Sequence, residues 1–503
     1  MEVRIVNTKE YVGAIDQGTT GTRFIIFDNK GEQVSAAYRE HEQIYPEPGW
    51  IEHDPGEIWE NLELITEEAL EKAGLDSDDL ASVGITNQRE TAFVWDDRGK
   101  PLHNGIVWQD RRTADRCEEL EGTEIEGIVK ARTGLRLDPY FSGTKIEWLL
   151  ENVEGLKERA EKREAYFGTV ESWLIWMLTD GDVYVTDHTN ASRTMLFDIE
   201  EMEWHSELLD FFGIPRKSLP DPVENVEEYG TITGLDPLEG VPIGAALGDQ
   251  QAALFGQGCY SPGEGKNTYG TGSFLLVNVG KEPSFGEDLL TTIGFSFGGD
   301  TRYALEGSVY STGATIQWLR DGLGIIEEAA ESEGLAESLD GNDGVYLVPA
   351  FAGLGAPHWD SSARGTIVGL TRGSDRRHMA RAGLESIAYQ VEDVLRAMRE
   401  EANQDLEELR VDGGAAENNF LCQFQSDVSS IPVLRTGIFE SSALGAAYGA
   451  GLAVGVWNDL DELKELIRSK KDRRFEPDME SEEREELYGH WQEAVKRAKD
   501  WRL

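Results

Sequence analysis

The sequence predicts an α/β protein made of two duplicated halves with a cleft between them. A short Gly/Thr turn follows an apolar strand at residues 18–22, and a similar turn at residues 270–272 precedes an apolar strand in the second half. The pattern of strand, turn and helix restarts near Gly244, and no low-complexity linker separates the halves. Strands that alternate with helical segments are typical of α/β folds. We therefore expect two domains, 1–250 and 251–503, that pack together.

Length and composition limit the class of protein. The 503 residues leave room for two or more domains, and contents of 39% hydrophobic and 9% aromatic residues indicate a folded chain. The net charge of −48, from 95 acidic and 47 basic residues, argues against a nucleic-acid partner. The acids are spread along the chain, which indicates a halophilic protein, because the screening length falls to ~3 Å at ~1 M salt. An ordinary acidic protein is the alternative.

Cysteine usage and hydropathy predict a cytoplasmic protein without membrane insertion. The three cysteines Cys117, Cys259 and Cys422 lie far apart and form no C-x-x-C pair, so neither a disulfide framework nor a zinc site is indicated. The N-terminus lacks the apolar core of a signal peptide. The run of small apolar residues at 443–457 is too short to span a bilayer and predicts a buried, tightly packed helix.

Local patterns predict the elements of the first half. Apolar runs at residues 11–15 and 23–28 form a hairpin around the first Gly/Thr turn. Residues 54–57 begin a helix, with an aspartate N-cap, a proline at the first helical position and a glutamate that completes a capping box. Two further strands flank a polar segment at residues 87–91, and helical segments follow.

In the second half, an apolar strand leads to a polar turn at residues 249–251 and then to a helix of small residues. The next hairpin surrounds the second Gly/Thr turn. A later strand breaks at residues 412–414 and continues as a helix.

These turns indicate phosphate chemistry of an uncommon kind. The chain contains no G-x-x-x-x-G-K-[ST], and no G-x-G-x-x-G opens a helix after a strand. A Gly/Thr hairpin tip can still offer backbone N–H groups and hydroxyls to phosphate oxygens. Asp16, at the end of the first strand, can hold the water shell of Mg²⁺. A single turn of this kind is more often part of an ordinary hairpin. This chain has two of them, together with a Gly413-Gly414 pair that a planar ring can approach, and this combination predicts a nucleotide site.

The polar segment at residues 87–91 contains the adjacent residues Arg89 and Glu90. Neighbours in an extended strand point to opposite faces, so the two side chains are poorly placed to neutralise each other. Either both lie in a solvated loop or both face a ligand. Spacing alone favours the loop, because polar loops are common.

The motifs of essentially the whole chain resemble those of the FGGY carbohydrate kinase family, in the sugar kinase, Hsp70 and actin superfamily. The resemblance is carried by AIDQGTTGTRFIIFD, YPEPGWIEHDPGEIW, GITNQRET, IVWQDRRT, DPYFSGTK, TNASRTMLFD, GDQQAALFGQ, NTYGTGSF, STGATIQWLRD, PAFAGLGAPHWD and RVDGGAAENNF. It implies two actin-like (ribonuclease H-like) domains. NQRET, DPYF and GDQQ further imply phosphorylation of glycerol to sn-glycerol 3-phosphate with ATP and Mg²⁺, in glycerol catabolism. A pentulose or hexonate kinase, or a nucleotide-switched chaperone or filament protein, is the alternative.

The resemblance also implies a role for single residues. Asp249 would be the general base of an in-line phosphoryl transfer, and Asp16 the carboxylate that organises Mg²⁺. Arg89 and Glu90 would bind polyol hydroxyls, which both donate and accept hydrogen bonds. The other residues implied are Tyr140, Gln250, Trp108 and Phe274 at the polyol, Thr19, Thr20, Gly21, Arg23 and Thr271 at the phosphates, and Gly313, Gln317, Gly414 and Asn418 at the nucleoside.

Other interpretations of these residues stay open at this point. Asp249 could be a helix N-cap, Trp108 and Phe274 could be core, and Arg23 could be a charge on a strand face. The resemblance suggests a homodimer or homotetramer. Family members that fructose 1,6-bisphosphate inhibits carry a basic Gly-rich loop, whereas residues 230–244 here contain no basic side chain, so we do not expect that regulation.

Overall fold

The structure, a computed structural model, describes residues 9–402, 406–437, 440–470 and 472–501. The strands of the first half are β1 (Tyr11–Gln17), β2 (Gly21–Asp28), β3 (Gln33–Glu40), β4 (Glu52–His53), β5 (Leu80–Asn87), β6 (Phe93–Trp95), β7 (Gly105–Ile106), β8 (Tyr166–Gly168), β9 (Val185–Asp187), β10 (Phe197–Asp198), β11 (Glu203–Trp204), β12 (Asp221–Val223), β13 (Val226–Thr231) and β14 (Pro242–Gly248). Its helices are α1 (Pro55–Ala73), α2 (Ala114–Leu120), α3 (Glu124–Thr133), α4 (Ser142–Asn152), α5 (Leu156–Glu161), α6 (Val170–Leu178), α7 (His188–Ala191), α8 (Ser206–Phe211) and α9 (Asp249–Gly256).

The second half continues with strands and helices in the same style. Its strands are β15 (Glu264–Tyr269), β16 (Ser273–Gly280), β17 (Leu290–Phe297), β18 (Asp300–Val309), β19 (Tyr346–Val348), β20 (Thr366–Val368), β21 (Glu408–Asp412), β22 (Val433–Arg435) and β23 (Arg473–Phe475). Its helices are α10 (Gly313–Gln317), α11 (Glu331–Glu337), α12 (Arg376–Ala402), α13 (Asn419–Ser429), α14 (Ser441–Ala453), α15 (Leu460–Arg468) and α16 (Ser481–Ala498). Among the described residues, no helix is long and apolar enough to cross a membrane.

The two central sheets have the same topology. The first has the strand order β13-β14-β5-β1-β2-β3, and the second has the order β17-β18-β16-β15-β21-β22-β23. In each sheet, three neighbouring antiparallel strands are followed by two strands that run parallel to the third and then by one antiparallel strand. β17 is an additional edge strand of the second sheet. This repetition confirms the predicted class, an α/β fold with two duplicated actin-like domains.

Both Gly/Thr turns connect the first hairpin of their own sheet, as predicted. In the first hairpin Gln17 pairs with Thr22, and in the second Tyr269 pairs with Ser273. The strand that lies parallel to the start of each hairpin is β5 in one half and β21 in the other. Because parallel strands end at the same edge of a sheet, the segment after β5 and the break after β21 each lie beside a turn.

The start of α1 differs from the prediction in one detail. Asp54 is the N-cap, and its carboxylate accepts a hydrogen bond from the backbone N of Gly56 at 2.8 Å. Glu57 does not complete a capping box: its carboxylate accepts from the backbone N of Glu42 at 3.0 Å. The capping-box prediction was wrong because a chain segment that is distant from the helix in sequence supplies a competing N–H donor.

The Gly/Ala segment forms the buried helix α14, as predicted, and this helix joins the two halves. Although α14 lies between β22 and β23 of the second sheet along the chain, its Ala446 shares a hydrophobic cluster with Val12 of the first sheet. The small residues allow very close packing: a Cβ on Gly445 would lie 1.9 Å from the carbonyl oxygen of Ala252 in α9. The halves are therefore packed together through a common core below the cleft.

Candidate active site

The polar segment after β5 lies in the interior, where the two halves meet. The residues Arg89 and Glu90 are only 3% and 1% exposed, which excludes the solvated loop. Glu90 has a φ of 62°, a conformation that is costly for a residue other than glycine. This turn of the backbone brings the two side chains together, with the Arg89 Nε and Glu90 Oε1 atoms 3.9 Å apart.

Most of the charge of this pair is balanced by residues distant in sequence. Arg89 donates hydrogen bonds to both carboxylate oxygens of Glu306 on β18, at 2.5 and 3.2 Å, and to Gln251 Oε1 at 3.1 Å. Arg193, just after α7, donates to Glu90 at 2.6 Å and to Glu306 at 2.8 Å. We call Arg89, Glu90, Arg193 and Glu306 the buried quartet. It links the first half to the second through charged hydrogen bonds.

Burial and opposite charge act against each other in the quartet. Burial alone would raise the pKa of Glu306, but the charges of Arg193 and Arg89 lower it to about 2. For Glu90, burial raises the pKa, and the same two arginines offset only part of the effect. Glu306 is therefore the more firmly ionised of the two carboxylates.

Aromatic side chains stand on two sides of the quartet. Trp108 and Tyr140 make an edge-to-face contact with ring centroids 5.5 Å apart, and the guanidinium of Arg193 lies 5.9 Å from the Tyr140 ring. Phe274 lies 5.9 Å from the guanidinium of Arg89. All three rings are partly exposed. They can therefore contact the carbon atoms of a small ligand and are not only core residues.

Lys145 holds together the backbone segments that carry Glu90 and Tyr140. It is fully buried and donates hydrogen bonds to the backbone oxygens of Tyr140, Phe141 and Glu90, the last two at 3.4 Å. Burial lowers its pKa to about 7, although the carboxylates of Glu90 and Asp110 act in the opposite direction. Lys145 thus connects two of the segments that carry predicted polyol residues.

Asp249 and Gln250 begin α9 beside Arg89. The Asp249 Oδ1 atom lies 3.3 Å from the Nε of Arg89, and the side chain is 33% exposed. The N-cap of α9 is Gly248, not Asp249, although Asp249 Oδ1 also accepts from the backbone N of Gln250 at 2.7 Å. Gln250 accepts a hydrogen bond from Lys266 at 2.5 Å. A carboxylate held against an arginine in this way can accept a proton from a neighbouring hydroxyl.

The first Gly/Thr turn is held by side chains from other segments. Trp108 Nε1 donates to the hydroxyl of Thr19 at 2.9 Å, and Gln43 donates to the Thr19 carbonyl, also at 2.9 Å. Thr20 is exposed, with its hydroxyl 3.5 Å from that of Tyr38. Thr19 therefore joins the predicted phosphate turn to the aromatic side of the polyol residues.

Asp16 is the penultimate residue of β1 and lies next to this turn. Arg23 lies 4.0 Å from Asp16 but pairs more closely with Glu440, at 2.6 Å. Burial raises the pKa of Asp16 to about 7; the charge of Arg23 acts against this shift, and the carboxylate of Glu440 acts in the same direction as burial. Gly21 is required by packing, because a Cβ there would lie 2.5 Å from the carbonyl oxygen of Arg39.

The chemistry of Asp16 fits a Mg²⁺ ion that is held jointly with phosphates. Mg²⁺ keeps several waters and usually takes one or two carboxylates together with substrate phosphates. A cluster of three or more metal-binding side chains does not occur in the described part of the chain. A partly exposed carboxylate near the phosphate turn would therefore act as one ligand among waters and phosphates, not as part of a closed protein cage.

The second Gly/Thr turn is held by backbone groups. The N–H groups of Thr312 and Gly313 donate to the carbonyls of Thr271 and Gly270 at 2.9 and 3.0 Å. A Cβ on Gly313 would lie 2.7 Å from the Gly270 oxygen, so only glycine allows this approach. Thr271 is exposed at the tip, and Gln317 is exposed at the end of α10.

The break after β21 lies beside the same turn. Gly413 has a φ of 86°, and a Cβ there would lie 2.4 Å from the carbonyl oxygen of Tyr269. Gly414 is exposed, and a Cβ on it would meet nothing within 4 Å. Asn418 is the N-cap of α13 and accepts from the backbone N of Leu421 at 2.9 Å. Its side-chain oxygen is thus already used inside the protein.

The structure groups most of the predicted residues, but not all of them. The predicted polyol residues and the first turn share direct contacts, as described above. Gln317 and Asn418 lie on different helices, and within the described residues they share no hydrogen bond. No role is predicted from the sequence for Glu306, Arg193 or Lys266. An acid that directly follows an apolar run, as Glu306 follows residues 303–305 of β18, signals a buried ion pair but does not identify its partner.

The fold and the site define a phosphotransferase of the sugar kinase type: each of the two duplicated domains carries a Gly/Thr turn, and a polar cluster lies next to these turns. The FGGY family of carbohydrate kinases matches with its N-terminal domain over residues 11–256 and with its C-terminal domain over residues 265–454. The chain belongs to the FGGY family of carbohydrate kinases. As a member of a kinase family, it is an enzyme that uses ATP.

Similar proteins are found over nearly the full length. Glycerol kinase 2 of Thermotoga maritima is 54% identical over 98% of this chain and 99% of that relative. Glycerol kinase of Haloferax volcanii is 55% identical over 98% of each chain. The crystal structure of Plasmodium falciparum glycerol kinase with ADP is 36% identical and has a TM-score of 0.92, covering 97% of this chain and 98% of that one.

Proposed function

We propose that this protein transfers the terminal phosphoryl group of ATP to glycerol in the cytoplasm, producing sn-glycerol 3-phosphate and ADP for glycerol catabolism. The observation that carries the proposal is the buried pair Arg89 and Glu90 with Asp249 at 3.3 Å from Arg89. A guanidinium and two carboxylates match hydroxyls that must donate, accept and lose a proton. Relatives named glycerol kinase, at 54% and 55% identity, support the same substrate.

Two atoms of the pair define where a polyol would bind. In the described residues, the Oε2 of Glu90 makes no hydrogen bond, and the Nε–H of Arg89 is paired with Asp249 at 3.3 Å without a hydrogen bond of good geometry, whereas the remaining groups of both side chains are engaged. Glycerol hydroxyls would satisfy these two atoms, with Gln250 at the same edge. The rings of Trp108, Tyr140 and Phe274 would contact its carbon atoms.

Asp249 would accept the proton of the attacking hydroxyl, while Arg89 fixes the position of that carboxylate. Phosphoryl transfer requires in-line positioning and charge stabilisation more than covalent chemistry from the protein. Mg²⁺ held at Asp16 would neutralise phosphate charge. The residues at the phosphates would be Thr19, Thr20, Gly21, Arg23 and Thr271, with the nucleoside at Gly313, Gln317, Gly414 and Asn418. Closure of the cleft would exclude water.

We also propose a division of the chain at residue 250. The first sheet ends with β14 at Gly248, and the second begins with β15 at Glu264. Residues 1–250 would carry most of the polyol site and the first turn, and residues 251–503 the second turn and the nucleoside side. A homodimer or homotetramer is proposed from the family alone, and a halophilic protein from the net charge of −48.

The test is an ADP-release assay with ATP, Mg²⁺ and a panel of polyols, pentuloses and hexonates. The assay is repeated at ~0.1 M and ~2 M KCl, because exposed acids are screened only at high salt. Glycerol should be the best substrate, and 1-propanol should be very poor, since buried groups built for hydroxyls reject analogues that lack them. Faster turnover of a pentulose or hexonate would contradict the proposal.

A further inference from the structure

Glu306 is the one member of the buried quartet that the second half contributes. Its residue exposure is 0%, and both its oxygens accept hydrogen bonds from arginines of the first half. Glu306 does not line the predicted polyol surface itself. It acts through Arg89, whose Nε lies beside Asp249, and through Arg193, which is itself 0% exposed and holds Oε1 of Glu90.

The quartet holds two positive and two negative side chains in a buried place. Electrostatic interactions are strong there, because the effective dielectric constant is far below that of water. Within the quartet, removal of the Glu306 charge would leave the two arginines opposed by Glu90 alone, while Asp249 outside it still faces Arg89 at 3.3 Å. The polyol site would then carry one additional positive charge, next to the ligand.

The hydrogen bonds also fix which atoms of the quartet face the ligand. One nitrogen of Arg89, Nη1, is occupied by Gln251 and Glu306, which leaves Nε on the side of Asp249. Arg193 occupies Oε1 of Glu90 and leaves Oε2 free for a ligand. Both orientations depend on partners outside the polyol surface.

We propose that Glu306 and Arg193 are positioning residues that set the charge selectivity of the polyol site. By keeping the quartet neutral, they favour an uncharged polyol over analogues that carry a carboxylate or an ammonium group. This inference rests on the proposed function, since it concerns the same site. It adds a cause for selectivity that hydroxyl recognition by Arg89 and Glu90 does not supply.

The experiment measures competitive inhibition against glycerol by two charged analogues, D-glycerate and 3-amino-1,2-propanediol. Glu306→Gln should strengthen inhibition by glycerate relative to the amine by about tenfold, because a charge a few ångströms away at intermediate dielectric acts at that scale or above. Arg193→Met should shift the ratio in the opposite direction. The double variant restores neutrality, so its ratio should return toward that of the wild type.

A matched control tests whether loss of any buried carboxylate has this effect. Glu392 on α12 is also buried and accepts hydrogen bonds from two arginines, Arg396 at 2.7 Å and Arg399 at 3.1 Å. Glu392→Gln should leave both inhibition constants unchanged. The KM for ATP should stay within about twofold in every variant, since the nucleoside side is not altered.

The outcomes separate the inference from the proposed function. If the wild type releases no ADP with glycerol, the proposed function fails, whatever the variants do. If glycerol is a substrate but the ratio of the two inhibition constants stays the same in Glu306→Gln or Arg193→Met, the inference is overturned and the quartet is only structural. Because the two single variants shift the ratio in opposite directions, either one decides the question if the other does not fold.

Discussion

The two Gly/Thr turns occupy equivalent places in the duplicated sheets but are supported in different ways. Side chains of Trp108 and Gln43 hold Thr19 in the first turn, each at 2.9 Å. Backbone N–H groups of Thr312 and Gly313 hold the second turn. A duplicated fold has therefore kept the geometry while the supporting groups differ. The first side of the cleft should be sensitive to distant side chains as well as to a Cβ at Gly21, whereas the second should be sensitive mainly to an added Cβ.

The largest effect is expected where the two sides meet, at Asp249. Asp249→Asn keeps the shape of the side chain but removes the proton acceptor. A general base contributes ~10²–10⁴-fold, so kcat should fall by that factor with little change in either KM. ADP release at saturating glycerol and ATP measures kcat, and a retained thermal shift with glycerol shows that the variant is folded. Turnover within about threefold of wild type would leave Asp249 as a structural residue only.

Arg89→Ala tests the first side of the cleft. Loss of hydrogen bonds to a charged group costs ~1.5–3 kcal/mol, so the KM for glycerol should rise by ~10–100-fold. The KM for ATP should change far less, because no predicted nucleotide residue contacts Arg89. Arg396→Ala, which removes an arginine outside the cleft, serves as the control for a general loss of stability. Equal changes in both constants would place Arg89 outside the polyol site.

Local patterns were sufficient for much of the fold and for part of the site. The hairpins, the Gly/Thr turns and the break after β21 depend on residues that are neighbours in sequence, so spacing predicts them. The partner of Arg89 could not be predicted in this way, because Glu306 is 217 positions away. The same limit explains Glu57, whose carboxylate accepts from Glu42 and not from its own helix. The resemblance predicted residues for the first side of the cleft, but it did not predict the contacts that hold them.

Two adjacent glycines test the second side of the cleft. Gly413→Ala places a Cβ 2.4 Å from the Tyr269 oxygen on a backbone with φ of 86°, and we expect a loss of stability. The strain of such a residue is ~1–3 kcal/mol before the steric overlap is counted. Gly414→Ala meets no neighbour within 4 Å, so it should leave stability unchanged and raise the KM for ATP.

Urea unfolding and ATP kinetics on both glycine variants measure these effects. An unchanged unfolding midpoint in Gly413→Ala would contradict the view that the second side depends on glycine backbone. A wild-type KM for ATP in Gly414→Ala would place the nucleoside elsewhere.

A pair of buried histidines lies below the first turn and makes its support sensitive to pH. His53 Nε2 lies 2.9 Å from the Oε1 of Gln43, the residue that holds Thr19, and its Nδ1 lies 3.2 Å from Gln88. The ring of His41 is 4.4 Å from that of His53, centroid to centroid. Burial, together with the neighbouring charge of His41, lowers the pKa of His53 to about 3. The hydrogen bonds described for the second turn involve backbone groups, which do not titrate.

The smallest expected effect follows from this difference. Unfolded His53 takes up a proton near its ordinary pKa of 6.5, whereas the folded residue stays neutral down to about pH 3. Stability is therefore full above pH 6.5 and falls with acid, by about 1.4 kcal/mol between about pH 7.5 and about pH 5.5. Over this pH interval, the free energy of unfolding of His53→Gln should fall by about 1.4 kcal/mol less than that of the wild type. Urea unfolding at both pH values measures this difference. His490→Gln, at an exposed position, should follow the wild type. An equal loss in wild type and His53→Gln would show that the first turn is no more sensitive to pH than the second.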